Sequence, residues 1–254
     1  MTCISNNAPL APPTLEPAHA AGINLRAAAN LTVAVAPYSG MDRGDLVELF
    51  WDGCYVAACV VAEADIGKPL KLKVPESFIV SGWPRLHYRV MQVGRKPALS
   101  ASARVEVKLD CPGGPVLPGC AEENQYLRPV ILPTVICRRG VNPSQIRRGV
   151  PLTIAPYLNM AEGDEITLRW GDARMDLPRL TRADVGQAIQ VWVPPTIIVE
   201  AGEDLRLDVT YCVLDRVGNN SRWAPPRMLK IGCMQPCLNV TLRPAPRAVE
   251  TRGK

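Results

Sequence analysis

Apolar and polar side chains alternate along this chain in short, well-separated runs. In "DEITLRW", Ile166, Leu168 and Trp170 alternate with Glu165, Thr167 and Arg169; in "DLVELFW", Val47, Leu49 and Trp51 share one face and Phe50 falls on the other. Leu70, Leu72 and Val74 enclose Lys71 and Lys73, as Ile189, Val191 and Val193 enclose Gln190 and Trp192. Val209, Tyr211 and Val213 make a further inward face. Successive strand side chains point to opposite faces, so each run predicts a β-strand with one buried and one wet side. Turn-rich stretches ("SGMDRGD", "AEGD", "VPES") separate the runs, which predicts antiparallel β-sandwich architecture. The density of proline and β-branched residues argues against long helices.

The pattern occurs twice. "VAVAPYSGMDRGDLVELFWDG" from Val33 matches "LTIAPYLNMAEGDEITLRWGD" from Leu152: Pro37, Tyr38, Met41, Gly44, Asp45, Leu49 and Trp51 recur as Pro156, Tyr157, Met160, Gly163, Asp164, Leu168 and Trp170. The offset is constant, since 156 − 37 and 170 − 51 both give 119. It holds through "ADIGKPLKLKVP" and "ADVGQAIQVWVP", after which the second copy is longer and Tyr88 answers Tyr211. A period this long marks tandem units, each able to bury a core of its own. "PTL" at Pro13 and "PTV" at Pro133 open the copies; Cys111 and Cys233 close them. The expected organisation is a first domain over 1–111 (repeat core 13–111), a Pro/Gly-rich linker over 112–125, a second domain over 126–237 (repeat core 133–233) and a basic tail over 238–254. Within it, residues 112–123 are expected to be the most protease-sensitive interior region.

Late in the second copy, "YCVLDRVGNNSRW" runs from Tyr211 to Trp223. Asp215 and Asn219 are suited to bonding nearby backbone amides, and Gly218 to the positive φ of a turn, so the stretch reads as a turn that holds the fold. It resembles the Tyr-x-Val-x-Asp-x-x-Gly-Asn-x-Ser signature of bacterial immunoglobulin-like tandem repeats, and the Pro-Tyr…Met…Gly-Asp…Trp block is similar to pseudomonad-type repeats of that kind. The likeness spans roughly 13–111 and 133–233; in the first copy "YRVMQVGRKPALSAS" has lost the Asp and the Asn. The resemblance implies two tandem immunoglobulin-like antiparallel β-sandwiches. It also implies extracellular stalk, adhesion or interaction modules, mostly without catalysis.

Composition changes this picture little. The 254 residues are 47% hydrophobic and 21% charged, with a net charge of +5, which permits an acidic partner without demanding one. The start, "MTCISNNAPLAPPTLEP", lacks a basic n-region and an apolar h-region, and no apolar run is long enough for a membrane helix, so the resemblance would place the protein outside the cell by a leaderless route. Nine cysteines, an odd count without a visible signal peptide, read as free thiols. Cys54/Cys59 and Cys233/Cys237 lack zinc-knuckle spacing, and His19 and His87 are the whole supply of imidazole. Neither a catalytic triad nor a phosphate loop can be assembled, so no enzyme activity, metal or cofactor is expected. Asp45 and Asp164 stand before strands without the acidic ladder calcium needs, so they read as turn residues.

Four tryptophan and tyrosine positions, Trp51, Trp170, Tyr88 and Tyr211, read as equivalent core anchors rather than sugar platforms. The candidate interaction surface lies where the copies differ outwardly. It comprises Phe50, where the second copy has Arg169; Trp192, where the first has Lys73; and Arg138, Arg139, Arg147 and Arg148 of "CRRGVNPSQIRRG". Without interleaved aromatics those arginines read as a solvated edge, and nucleic acid is not expected as a partner. Phe50 and Trp192 are expected to be covered by the neighbouring domain, a tail or an external partner. The function favoured is a non-enzymatic binding or spacer module of a bacterial surface-associated or secreted protein, with a protein or glycan partner; the alternative is a carbohydrate-binding accessory protein.

Overall fold

The computed structural model describes residues 9–16, 22–115 and 122–232. The basic tail, Cys233, Cys237, Cys3, Cys120 and His19 lie outside them.

The first repeat contains β1 (Thr14–Glu16), α1 (Leu25–Ala28), β2 (Thr32–Val35), β3 (Leu46–Trp51), β4 (Cys54–Val60), β5 (Leu70–Lys73), β6 (Arg85–Met91), β7 (Ala98–Leu99) and β8 (Ala103–Arg104). One sheet has the order β1-β2-β5; the other runs β4-β3-β6-β7, with β8 also on β6. The second repeat contains α2 (Thr134–Arg139), α3 (Pro143–Arg148), β9 (Val150–Ile154), β10 (Glu165–Trp170), β11 (Ala173–Asp176), β12 (Ile189–Val193), α4 (Pro195–Ala201), β13 (Asp204–Leu214) and β14 (Arg227–Ile231). Its sheets have the orders β12-β9 and β11-β10-β13-β14. Every strand pair is antiparallel.

Alternation decides what is buried. Val47, Leu49 and Trp51 on β3 and Ile166, Leu168 and Trp170 on β10 are buried, while the residues between them are half-exposed. Trp51 and Tyr88 sit in one apolar cluster and Trp170 and Tyr211 in a second, separate one, so each repeat has its own core. At about 25 cal/mol per Å2 of apolar surface, such anchors dominate the stability of a small sandwich.

Among the described residues, four short α-helices depart from the all-strand reading. The prolines that argue against helices stand at their starts: Pro143 and Pro195 occupy the first turns of α3 and α4, and Pro133 precedes α2. A first-turn proline removes an N–H that has no intrahelical acceptor anyway. Thus "PTL" opens the first copy as a strand, and "PTV" opens the second as a helix. Asn142 completes α3 by accepting from the Gln145 amide, and the Gln145 side chain returns a bond to the Asn142 amide.

The described ends of the 112–125 connection are packed rather than open. Pro112, Gly113 and Gly114 are buried. The Gly113 amide donates to Leu158 O at 2.7 Å, and the Asn159 side chain donates to Cys111 O at 2.9 Å. On the far side, the Asn124 amide donates to Trp223 O.

Candidate interaction site

The Asp215–Ser221 turn folds itself first. Asp215 Oδ1 accepts from the Val217 and Asn219 amides at 3.1 and 2.8 Å, its Oδ2 accepts from Asn219 Nδ2 at 2.9 Å, and Ser221 Oγ accepts from the Val213 amide. Gly218 takes φ +87° at the bend. What the sequence pattern did not reveal is where this turn sits: against the end of the first repeat. Lys108 Nζ reaches Asp215 Oδ2 at 2.6 Å, with side chains only 13% and 0% exposed. Asn219 bridges both ways, donating to Lys108 O at 2.8 Å and accepting from the Leu25 amide at 2.9 Å. Asn24 donates to Val217 O, and Arg216 pairs with Glu106. One turn therefore closes β13 and joins the repeats.

The Gly-Asp positions hold the strand entries. Asp45 Oδ2 accepts from Tyr38 Oη, the Asp42 amide and Gln92 Nε2 at 2.9, 3.1 and 2.8 Å. Asp164 Oδ2 accepts from Tyr157 Oη and the Ala161 amide at 2.9 and 3.0 Å. These bonds explain the shared Tyr and Asp of the repeated motif. The two copies differ in that Asp164 has no counterpart of the Gln92 donor, and its Oδ1 is buried with no hydrogen-bond partner. Burial accordingly pushes the Asp164 carboxyl above the usual carboxylate range, against the opposing pull of the Ala161 amide and the Tyr157 hydroxyl.

Trp51, Trp170, Tyr88 and Tyr211 are 2%, 0%, 1% and 0% exposed. Phe50 requires correction as a surface anchor. Its ring is half-buried, stacked on His87 across the β3–β6 ladder at 5.0 Å, met edge-on by Tyr55, with the Arg89 guanidinium 5.4 Å away. Cross-strand neighbours of its own sheet cover it, as large flat side chains do when directly opposed. The four arginines are exposed and stand at helix ends: Arg138 and Arg139 close α2, and Arg147 and Arg148 close α3. Cations there face the negative helix ends. None of the ion pairs among the described residues uses them.

Trp192 is 56% exposed. Its indole lies against Gly149: a Cβ there would meet Trp192 Nε1 at 2.4 Å, so only a glycine gives the ring this seat. Arg147 and Arg148 directly precede that glycine. Beside the ring runs a groove of about 450 Å3 between β11 and β12, lined among others by Met175, Leu177, Pro178, Leu180 and Ile189. Three of the six surface candidates thus belong together, whereas α2 packs on β14 with its own arginines and Phe50 lies in the other repeat. The sequence reading passed over a second exposed tryptophan, Trp83 (53%), which has Arg104 over its ring; it precedes Pro84 outside any alternating run, so no pattern pointed to it. Among the described residues, five cysteines are free, no three His, Cys, Asp or Glu side chains gather as for a metal ion, and no helix is long and apolar enough to cross a membrane.

No protein-family model matches the chain, and no curated protein matches its sequence. Solved structures with partial likeness include a 1.5-MDa bacterial ice-binding adhesin studied for host cell surface retention, at 14% identity and a TM-score of 0.37, covering 89% of this chain and 66% of that one. Fibronectin(III)-like modules of Clostridium thermocellum CbhA share 10% identity with a TM-score of 0.39, over 86% of this chain and 92% of theirs. The FN1-FN3 domains of chicken CNTN1 give 13% identity and 0.39, over 89% and 64%. The architecture of the present chain, a mostly antiparallel β protein with few helices, is read from its own sheets and cores.

Proposed function

We propose that the chain comprises two tandem immunoglobulin-like domains acting as a non-enzymatic binding and spacer module of a bacterial surface-associated or secreted protein. The observation that carries this reading is the joint. A buried Lys108–Asp215 pair, with Asn219 bridging to Lys108 and Leu25, ties one repeat to the next through directional bonds. A flexible pair would have no use for a desolvated charge pair at its junction, because such pairs require good geometry to offset their desolvation. The buried aspartates Asp45, Asp164 and Asp215 are engaged in turns. The sequence resemblance to bacterial immunoglobulin-like repeats supports the same role.

The test is the distance distribution between spin labels on the exposed Cys54 and Cys137, one in each repeat, with the other cysteines replaced by serine. A narrow distribution that broadens in Asp215→Ala is expected. A distribution equally broad in both proteins would refute the spacer reading. The carbohydrate-binding alternative is favoured by the exposed face of Trp192, and a glycan array on the purified protein separates it from protein-mediated contact.

A further inference from the structure

Among the described residues, the backbone of β12 has an unused edge. Thr153 exchanges both its amide and its carbonyl with Ile131, so its neighbours Leu152 and Ile154 turn theirs toward β12. They pair there with Val191 and Ile189. Backbone groups alternate sides along a strand, so those of Gln190 and Trp192 point away from β9. Among the described residues no backbone hydrogen bond outside the sheet ladders engages them.

The first repeat shows how the same edge looks when it is protected. Its β5 carries exposed Lys71 and Lys73 at these two positions, and charged side chains, lysine above all, discourage further strand pairing. Its β4 also runs seven residues and packs against β5, whereas β11 runs only four. Pro178 stands where the first copy has Cys59, and proline cannot extend the ladder, so the groove opens there. The second repeat carries uncharged residues at both positions, and its Gly149, where the first has Asn30, seats the tryptophan.

We propose that the β12 edge captures an extended segment of a partner polypeptide as an added strand, with an apolar residue in the groove opposite Val191 and an acidic flank toward Arg147 and Arg148. This rests on the binding-module reading above and specifies its partner. Main-chain bonds to Gln190 and Trp192 supply affinity, and alternate side chains supply selectivity, the usual division in strand addition. Arg147 and Arg148, in no ion pair among the described residues, select the charge of the flank and make capture salt-dependent. A saccharide would use the indole face but leave the edge groups unanswered, so the peptide is the better occupant.

The probe is acetyl-Glu-Thr-Val-Thr-Val-Thr-Glu-amide, titrated into the full 15N-labelled chain. Expected are shifts at the amides of Gln190–Val193 and at the Trp192 indole, weakened by raising salt from about 0.05 to about 0.5 M. The same peptide N-methylated on alternate amides should give none. Gln190→Lys/Trp192→Lys, which installs the residues β5 already carries, should fold normally and bind at least about tenfold more weakly. Silence at millimolar peptide, equal binding by the double variant or by the N-methylated peptide, or glycan binding at Trp192 with the peptide silent would each overturn the proposal. So would a dimer that the double variant dissolves, since a second copy would then hold the edge. The spin-label distances stand apart from this: a narrow distribution with a silent peptide removes strand capture and leaves the spacer, and a broad one with peptide binding does the reverse.

Discussion

Asp215→Ala strips one carboxylate that accepts from two backbone amides, the Asn219 side chain and Lys108. Lys108→Met removes the cross-repeat partner, together with an exposed bond from Lys108 Nζ to Asp110 O, and leaves Asp215 with its three donors within the turn. The two changes therefore differ in cost. Removing one partner of a buried ion pair costs about 3–5 kcal/mol, and Asp215→Ala belongs in that range because it strands two buried amides as well. Lys108→Met should cost about 1.5–3 kcal/mol, the loss of one charge-assisted bond from a carboxylate that remains hydrogen-bonded. The assay is a double-mutant cycle in urea, with the repeats followed separately because a two-repeat chain need not unfold in one step. A coupling of about 1.5–3 kcal/mol between the two sites is expected. A coupling below about 0.5 kcal/mol, the scale of an exposed surface pair, would show that the joint is open in solution.

Trp51→Ala and Trp170→Ala should each destabilise their own repeat by about 3–5 kcal/mol, measured by denaturant unfolding, and neither should remove the iodide-quenchable emission, which comes from the exposed Trp83 and Trp192. Gly149→Ala places a methyl group against the Trp192 ring and Val193 O at φ +87°, so it should shift the Trp192 indole resonance and cost more than about 1 kcal/mol. The Asp164 carboxyl is raised in the folded state, so folding favours its protonated form. That contribution is complete below the unfolded carboxylate value of about 3.9 and is lost as pH rises through the higher folded one. Asp164→Asn should therefore hold or raise the melting temperature at neutral pH, whereas Asp45→Asn, at a carboxylate that accepts three bonds, should lower it by about 1–2 kcal/mol worth of stability.

The strands were legible because a half-buried strand writes its burial into every second residue; Ile166, Leu168 and Trp170 could be assigned to the core with no knowledge of their partners. The short helices were not, since α2 and α3 span six residues each and too few turns exist for a helical period to emerge. The function of Asp215 was half legible. Its bonds to the Val217 and Asn219 amides are local and follow from the turn motif, but Lys108 lies 107 residues away in sequence, and nothing in a local pattern names such a partner. What covers Phe50 was illegible for a related reason. Alternation states which face a side chain takes, but the neighbour that covers it there depends on register, which set His87 opposite.

The duplication also explains why this joint has a direction. In the first repeat the receiving corner is Asn24, Leu25, Glu106 and Lys108, of which Leu25 supplies an amide, Glu106 an anion for Arg216 and Lys108 a cation for Asp215. The second repeat builds the same corner: Val141 bridges Ile231 as Ile23 bridges Val107, and Asn142 caps α3 as Asn24 caps α1. Yet three of the four groups that grip are changed, Asn142 alone keeping the residue of the first copy. Pro143 stands in place of Leu25 and has no amide to give, Lys230 in place of Glu106 would repel an arginine, and Gly232 in place of Lys108 has no charge. The turn shows the complementary change, because the first copy has Gln92 where the second has Asp215, and Gln92 bonds inward to Asp45 and Gly40. The gripping corner and the gripped turn thus each occur once among the described residues, at the one place where they meet. Repeats that shared a stacking contact would carry both halves in each copy. Here the divergence of the copies specifies a single junction, and it disfavours head-to-tail addition of a second chain through the same contact.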